Sequence, residues 1–317
     1  MQDAPATPED VAAAYRLVLG REPDREGFDH YVALIEHGSL TKQQMLAAFL
    51  NSAEFMAKEC GLKVDLGGVF VVVNPSEPEF GRPIAVDATW EPHIVATITK
   101  RLSRGQVFVD VGANVGVMSF KAAQIVGSQG KVIAFEPNEE NARFFLRGVV
   151  ENSFQEFVRL HRLALSDKPR LFSLHGGSNT HLIGAEGAAR LVQAIRGDEL
   201  LAAEPAIHFI KLDIEGHEPF AIRGLTETIN RHKPTILSEF NPRCLNDHIG
   251  IPPDEFAGQV FELAREVMVI EHDGNTNTVF EPRALMDLWA MKNEEAVRTG
   301  FLPEGMLHFD ILFTPAR

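Results

Sequence analysis

The stretch that decides the fold is Val107–Gly116, which reads VFVDVGANVG. An apolar strand that carries one acid, Asp110, runs into a turn with two glycines. Gly112 has no Cβ where the chain must reverse, Asn114 tolerates left-handed backbone geometry, and Gly116 allows close contact at the start of a helix. A strand, a tight turn and a helix in this order predict a site where a ligand approaches the backbone.

A second acid follows the next strand. The apolar run Val132–Phe135 ends at Glu136, 26 positions after Asp110, and a carboxylate so placed can accept hydrogen bonds from both hydroxyls of a ribose. The two acids therefore predict an adenosine site. A dinucleotide-binding turn would need glycine where Asn114 and Val117 stand, so nicotinamide-dependent oxidoreduction is disfavoured.

Strand-like apolar runs alternate with amphipathic helical stretches from Glu91 onward, which predicts a doubly wound, Rossmann-like α/β fold. The strands are expected at Val107–Val111, Lys131–Phe135, Phe157–His161, Ile207–Leu212, Thr235–Phe240, Val267–Ile270 and Leu307–Phe313. The helices are expected at Val115–Val126, Glu139–Glu151, His217–Asn230 and Asp254–Arg265.

Three short helices are predicted ahead of this region, the first of them capped by Thr7. A strand at Val69–Val73 and a proline-rich stretch follow, and such a stretch suits a connector. We therefore predict a small all-α domain at residues 1–60, a connector with a first strand at 61–90, and the main α/β domain at 91–317.

The composition narrows the classes of partner and location. With 45% hydrophobic and 23% charged residues, the chain of 317 residues is neither disordered nor a disulfide scaffold. Lys and Arg total 30 against 44 for Asp and Glu, a net charge of −14, which disfavours a nucleic-acid partner. The only cysteines, Cys60 and Cys244, give no disulfide framework, and neither a signal peptide nor a membrane span is recognised. A cytoplasmic protein is expected.

Over about residues 90–241 the chain resembles the FkbM-type S-adenosylmethionine-dependent methyltransferases. The blocks that carry the likeness are Asp110–Gly116, Phe135–Asn138, Leu163–Asp167, Ile210–Glu218, His232–Pro234 and Ser238–Asn241. The resemblance implies methyl transfer from S-adenosylmethionine, most often to a hydroxyl of a sugar or natural product, with Glu136 on the ribose and the Gly112 loop beside the methionine part. The donor-binding residues it implies are Asp110, Gly112, Asn114, Gly116, Glu136, Pro137, Asn138, Ala164 and Asp213.

Charged side chains also follow the strand Ile207–Leu212, at the end where open α/β sheets bind ligands. Methyl transfer to oxygen needs a base near the acceptor, and Asp213, Glu215 and His217 are the candidates. Histidine has the most suitable intrinsic pKa, but a first-turn helix histidine without a catalytic role is the alternative for His217. Glu218 is interpreted as a helix-start acid that complements the helix dipole.

Oxygen ligands at two strand ends raise a metal hypothesis. Asp213, Glu239 and Asn241 are of the type that binds Mg²⁺, but the same groups suit an acceptor-binding network, so a metal is possible but not expected and no metal ligand is assigned. The segments His175–His181 and Glu281–Pro303 either shape an acceptor pocket or are a loop and a packing helix.

Residues 7–57 resemble a small helical domain of unassigned function that often accompanies enzymes acting on surface polysaccharides. The likeness rests on Tyr15–Asp24, Gly27 and Ser52–Phe55. It hints at a glycan acceptor, or at a homo-oligomer or protein partner contacted through residues 1–60. Two functions follow: a methyltransferase that acts on a hydroxyl of a sugar, glycan or natural product, or a non-catalytic module that binds a nucleoside or glycan and serves assembly.

Overall fold

The computed structural model describes residues 5–19, 21–38, 40–55, 61–176, 180–184 and 190–316. Predictions that involve Gly20, Cys60 and residues 177–179 lie outside the described residues. The chain forms two compact units, Met1–Lys63 with Val73–Val86, and Val64–Val72 with Asp87–Arg317.

The helices and strands have the following bounds. The helices are α1 Pro8–Ala14, α2 Arg25–Glu36, α3 Lys42–Leu50, α4 Gly81–Asp87, α5 Pro92–Arg101, α6 Val117–Val126, α7 Glu139–Glu151, α8 Gly197–Leu201, α9 Glu218–Gly224, α10 Thr226–His232, α11 Pro242–Ile249, α12 Pro253–Leu263 and α13 Pro282–Thr299. The strands are β1 Leu62–Asp65, β2 Phe70–Val73, β3 Val107–Val111, β4 Lys131–Phe135, β5 Val158–His161, β6 Ala164–Leu165, β7 Arg170–Gly176, β8 Thr180–Gly184, β9 Leu191–Ile195, β10 Phe209–Leu212, β11 Thr235–Phe240, β12 Val267–Ile270, β13 Thr276–Val279 and β14 Phe309–Phe313.

The smaller unit contains the three helices that the sequence predicts. Thr7 caps α1 by accepting a hydrogen bond from the Asp10 amide at 3.3 Å, and the Asp10 carboxylate accepts one from the Thr7 amide at 2.9 Å. Tyr15 begins a π-helical turn that continues α1, and its ring contacts Phe49 edge-on at 4.9 Å. Aromatic contacts of this geometry add to the apolar burial that holds α1 and α3 together.

The larger unit is built on a mixed sheet with the order β13-β12-β14-β11-β10-β3-β4-β5. The strands from β11 to β5 run parallel, whereas β14, β12 and β13 pair antiparallel. The predicted doubly wound fold is therefore confirmed, with an antiparallel extension at one side. Fully buried side chains from β3, β10 and β11 form its core, since the central strands are covered by helices on both faces.

Several elements differ from the sequence-based expectation, and they include the unpredicted helices α4, α5, α8 and α11 and the unpredicted strands β1 and β13. The helix predicted over 217–230 is two helices, because Leu225 leaves helical geometry at φ −110° and ψ 11° with its side chain fully buried. A second sheet, of order β6-β9-β7-β8, was not predicted. Its strand β6 has only two residues, and the pairing of Ala164 with Ala194 joins residues far apart in the chain, so local periodicity does not reveal this pairing.

The sheet topology brings several strand ends to one edge. Parallel β3, β4, β10 and β11 all finish there, and β14 begins there because it runs antiparallel to β11 with Asp310 opposite Glu239. This edge is the place where open α/β sheets bind ligands. Within the described ranges, no helix is long and apolar enough to cross a membrane.

Candidate functional site

The turn after β3 has a conformation that depends on its glycines. Gly112 has φ +83°, and a Cβ there would lie 1.9 Å from the carbonyl oxygen of Asp213. Gly116 has φ +99°, and its Cβ would lie 2.6 Å from the Phe120 ring. Both glycines therefore permit a close approach of backbone that any side chain would prevent.

The end of β4 holds this turn in place. The amides of Gly112 and Ala113 both donate to the carbonyl oxygen of Phe135 at 3.0 Å. The backbone N–H of Asn114, a residue with φ +49°, donates to Oε2 of Glu136 at 2.8 Å. The structure thus brings together the turn and the acid that the sequence predicts as parts of one donor site.

Glu136 is only 4% exposed and is clasped by backbone donors. Besides the backbone N–H of Asn114, the backbone N–H of Asn138 donates to Oε1 of Glu136 at 2.8 Å, and the side chain of Asn141 also hydrogen-bonds this carboxylate. Burial raises the pKa of Glu136 to about 7, although the two backbone donors pull this pKa down. Asn138 also caps α7 by accepting from the Glu140 amide at 3.0 Å. Pro137 lies between Glu136 and Asn138, and its ring restricts the backbone φ angle at that position.

A buried lysine connects the two halves of the site. Lys211 Nζ lies 2.9 Å from Oδ2 of Asp213 and 3.9 Å from Oδ1 of Asp110, whose Oδ2 accepts from the Ser119 hydroxyl at 2.6 Å. Burial alone would lower the pKa of Lys211, but the two aspartates and Glu91 raise it above its ordinary value. Lys211 is therefore charged and fixes both carboxylates. The sequence signal for it was a lone cation at the next-to-last position of an otherwise apolar strand.

The residues at the turn fit S-adenosylmethionine. In the part of the chain that the structure describes, Oδ1 of Asp110 and Oδ1 of Asn114 are buried and have no hydrogen-bond partner. Buried acceptors without partners are unusual in proteins and suit a ligand that brings O–H and N–H donors. An adenosine with a ribose diol and an amino acid tail is such a ligand. Ala164, the remaining predicted donor residue, is buried in β6.

The predicted acceptor residues occupy the turn between β10 and α9. Asp213 follows β10 directly, and its side chain is 33% exposed beside Lys211. Glu215 has φ +56°; its Oε2 accepts from the Cys244 thiol at 3.4 Å, and its carbonyl oxygen accepts from His248 Nδ1 at 2.8 Å. The structure thus brings Asp213 and Glu215 to the ligand-binding edge.

His217 lies in different surroundings. It is 3% exposed, its Nε2 is 3.1 Å from the Ser166 hydroxyl, and its ring packs against Phe172 and Phe220. Burial lowers the pKa of His217 to about 4, a change to which the charge of Arg170 also contributes. A neutral, enclosed imidazole of this kind connects elements of the fold.

Two buried glutamates complete the edge. Glu218 is the first residue of α9; its Oε1 accepts from the Ile214 amide at 2.7 Å, and burial raises its pKa to about 8. Glu239 is the next-to-last residue of β11 and accepts a hydrogen bond from the Asn241 side chain at 3.1 Å; burial and neighbouring carboxylates raise its pKa. Among the residues that the structure describes, no group of three or more His, Cys, Asp or Glu side chains is arranged to hold a metal ion.

A polar cluster that sequence reasoning missed lies at the same edge, and we call it the histidine cluster. His93 Nε2 is 3.4 Å from Oδ2 of Asp310, and the His272 ring lies 4.4 Å from that of His308 and 6.0 Å from that of His93. Burial lowers the pKa of His272 to about 4. Its signal in the sequence was an acid within the apolar strand predicted at 307–313. The antiparallel pairing that places this acid beside Glu239 could not be read from the sequence.

The segments proposed to shape an acceptor pocket have separate positions. His175 and His181 face each other across the β7–β8 hairpin, and the His181 ring stacks on that of His248 at 3.8 Å. This hairpin therefore reaches the residue that contacts Glu215. In α13, Trp289 donates to the carbonyl oxygen of Leu307 at 2.8 Å and packs against the core, so this segment contains a packing helix.

The sequence of this chain is similar to two known domain families and to a known protein. The sequence model of the FkbM methyltransferase domain matches residues 110–279, and that of a domain of unknown function, DUF4214, matches residues 5–59. The hexuronic acid methyltransferase AglP of Haloferax volcanii is 27% identical over 197 residues, which cover 59% of this chain and 75% of that protein.

Solved structures of methyltransferases are also similar. Methyltransferase FkbM from Methylobacillus flagellatus matches with 16% identity and a TM-score of 0.35 over 72% of this chain, which spans 48% of that chain's length. The O-methyltransferase TomG from Streptomyces achromogenes, solved in complex with S-adenosylmethionine, matches with 10% identity and a TM-score of 0.41 over 71% of this chain and 79% of its own. The FkbM domain match itself extends over more than half of the sequence and includes the turn, the acid after β4 and the turn after β10. The chain belongs to the FkbM methyltransferase family and is an S-adenosylmethionine-dependent methyltransferase.

Proposed function

We propose that this methyltransferase modifies a hydroxyl oxygen of a sugar, with a uronic acid unit of a glycan as the acceptor class. The observation that carries the proposal is the shared edge of the sheet. The turn after β3, from Gly112 to Gly116, contacts Glu136 at one side of this edge, and we call it the donor turn. The carboxylates of Asp213, Glu215 and Glu239 lie at the other side of the edge. The similarity to a protein named as a hexuronic acid methyltransferase supports the choice of acceptor class.

The donor half of the site would be formed by the turn and by the segment after β4. In our assignment Glu136 accepts the ribose hydroxyls, and Asp110 and Asn114 present their unpartnered oxygens to other donors of the ligand. The remaining donor residues that we propose are Gly112, Gly116, Pro137, Asn138, Ala164 and Asp213. When bound, S-adenosylmethionine supplies a methyl group activated by a positively charged sulfur.

The acceptor half would use Asp213 and Glu215 to orient the sugar. Lys211 holds Asp213 in an ion pair at 2.9 Å, so this side chain can accept a hydrogen bond from a sugar hydroxyl without being free to rotate. We assign His217 a positioning role through Ser166, because a buried imidazole with a low pKa is a weak base. No step of this assignment requires a metal ion.

We also propose a separate role for each of three segments of the chain. Residues 91–317 form the methyltransferase domain, 61–90 contain a connector, and residues 1–60 contact a glycan, a protein partner or a second copy of the chain. A cytoplasmic location and the lack of a nucleic-acid partner stay predictions, supported by the cysteine usage and by the net charge of −14.

The test is a transfer assay with methyl-labelled S-adenosylmethionine. Acceptors would be a methyl glucuronide, a methyl galacturonide, a neutral methyl glucoside, a catechol and a ribosomal RNA fragment, each analysed by mass spectrometry. We expect an O-methyl product on a uronide and none on RNA. Transfer to RNA, or to no hydroxyl in the panel while the donor binds, would contradict the proposal, and the second result would support the non-catalytic module.

A further inference from the structure

A histidine–aspartate pair, His93 and Asp310, lies at the acceptor side of this edge, and neither residue has a role in the proposed function. His93 lies in the first turn of α5, and Asp310 lies in β14 opposite Glu239, the last acid of β11. Their side chains are 9% and 16% exposed, and Nε2 of His93 lies 3.4 Å from Oδ2 of Asp310. We propose that His93, oriented by Asp310, is the base that accepts the proton of the acceptor hydroxyl; this inference rests on the proposed O-methyl transfer.

The pair fixes which ring nitrogen is basic. A carboxylate can only accept a hydrogen bond, so the nitrogen that faces Asp310 carries the hydrogen in the neutral imidazole. The other nitrogen, Nδ1, then has its lone pair available. Within the described part of the chain, Nδ1 of His93 is buried and has no hydrogen-bond partner. The contact of 3.4 Å is long, as is common for catalytic pairs before the substrate is bound.

The other groups at the edge are less suited to accept this proton. Oδ2 of Asp213 is already held in an ion pair with Lys211 at 2.9 Å. His217 and His272 have pKa values lowered to about 4 by burial, and Glu218 is occupied by the Ile214 amide. A base works best when its pKa lies near the working pH, so His217 and His272 would contribute little.

The start of α5 shares its electrostatic environment with the acceptor residues. Glu91, two residues before His93, has φ +42°, and burial raises its pKa to about 8, with the charges of Asp213 and Asp310 adding to the increase. Carboxylates affect one another in this way only when they are close. His93 lies at the same edge of the sheet because it contacts Asp310, which is opposite Glu239 in β11, although α5 precedes the sheet in sequence.

The reaction step balances with this assignment. The acceptor oxygen forms a bond to the methyl carbon, the carbon–sulfur bond breaks with its electron pair on sulfur, and the hydroxyl proton passes to Nδ1 of His93. The positive charge thus moves from the sulfur to the imidazolium, whose contact with the Asp310 carboxylate stabilises it. The imidazolium then releases its proton to water and the base is restored.

The kinetic test compares His93→Gln and Asp310→Asn with His232→Gln, a control at the half-buried last residue of α10. The acceptor is the uronide that the unchanged enzyme methylates. We expect His93→Gln to lower kcat about 10²- to 10⁴-fold and to leave the calorimetric affinity for S-adenosylhomocysteine unchanged. Asp310→Asn should lower kcat with little change in KM, and Asp310→Glu should recover part of it. A His93→Gln enzyme that transfers at the parental rate would overturn the inference while leaving the proposed function intact.

A spectroscopic test does not depend on the acceptor. Histidine labelled with ¹⁵N reports the tautomer of each ring, and His93→Gln identifies the His93 signals. With S-adenosylhomocysteine bound, we expect hydrogen on Nε2 and a bare Nδ1 in the full-length protein, and a changed tautomer mixture in Asp310→Asn. Hydrogen on Nδ1 in the unchanged protein would overturn the inference even if no acceptor were methylated.

Discussion

At the scale of single residues, Glu136 connects the donor turn to the strand beside it. It accepts the amides of Asn114 and Asn138, so its replacement affects both the ligand and the turn. We expect Glu136→Ala to weaken S-adenosylmethionine binding by about 1.5–3 kcal/mol, or roughly ten- to a hundredfold, as measured by calorimetry. The control is Glu139→Gln, an exposed acid on the next helix. If the Glu136→Ala variant and the unchanged protein bind S-adenosylmethionine with equal affinity, Glu136 is not part of the donor site.

Donor binding should also depend on pH through the same residue. Because the pKa of Glu136 is raised to about 7, its carboxyl is mostly neutral at pH 6 and ionised at pH 8. The ionised form is the stronger acceptor for ribose hydroxyls. We expect the affinity for S-adenosylhomocysteine to rise by up to about tenfold from pH 6 to pH 8, and Glu136→Gln to abolish that rise. A pH-independent affinity in the unchanged enzyme would contradict this explanation.

Asp213 and Glu215 should matter for turnover more than for the donor. Asp213→Asn keeps the shape of the side chain but removes the charge that faces Lys211. We expect Asp213→Asn and Glu215→Gln to lower kcat by at least about tenfold and to lower donor affinity by less than that, because oriented contacts to the acceptor are strongest in the transition state. Asp247→Asn, which removes an exposed acid paired with Arg243, is the matched control. Parental rates in both variants would place the acceptor elsewhere.

At the scale of elements, the start of α9 should make stability depend on pH. The pKa of Glu218 is raised from 4.5 to about 8, so the folded protein favours its neutral form and loses stability as pH rises toward 8. The buried histidines His217 and His272 have lowered pKa values, so they reduce the stability of the folded protein as the pH falls, but only below about pH 6.5. Between pH 6.5 and 8 we expect Glu218 to lower the free energy of unfolding by about 2 kcal/mol. Urea unfolding of Glu218→Gln should show a smaller decrease over this range, and an identical decrease would contradict the assignment.

The elements also show how far the sequence predicts the fold. Strands such as Val107–Val111 and Thr235–Phe240 are found with the predicted bounds, because continuous apolar runs suit strands covered on both faces. The turn after β3 was also predictable from the sequence, because its glycines and the acids near it are local signals. The histidine cluster was not, because only the antiparallel register of β14 places Asp310 beside Glu239. A pairing between distant segments leaves no periodic trace in either of them.

At the scale of the whole molecule, the larger unit should act without the first helices. This unit comprises Val64–Val72 and Asp87–Arg317, a large cluster of its core is formed by residues from Val107 onward, and every donor residue that we propose lies beyond residue 107. We expect a chain of residues 61–317 to remain folded and to bind S-adenosylhomocysteine with an affinity within about threefold of the full chain. Size-exclusion chromatography and calorimetry would measure both properties. An insoluble product, or one that does not bind the donor, would mean that the methyltransferase domain requires residues 1–60.

The most direct test of the central claim is a calorimetric titration of the full-length chain with S-adenosylhomocysteine and, separately, with NAD⁺. The claim is that the turn after β3 and Glu136 form a site for the methyl donor and not for a dinucleotide. We predict saturable binding of one S-adenosylhomocysteine per chain, competition by S-adenosylmethionine, and no heat of binding with NAD⁺. Binding of NAD⁺ at this site, or no binding of S-adenosylhomocysteine, would contradict the account.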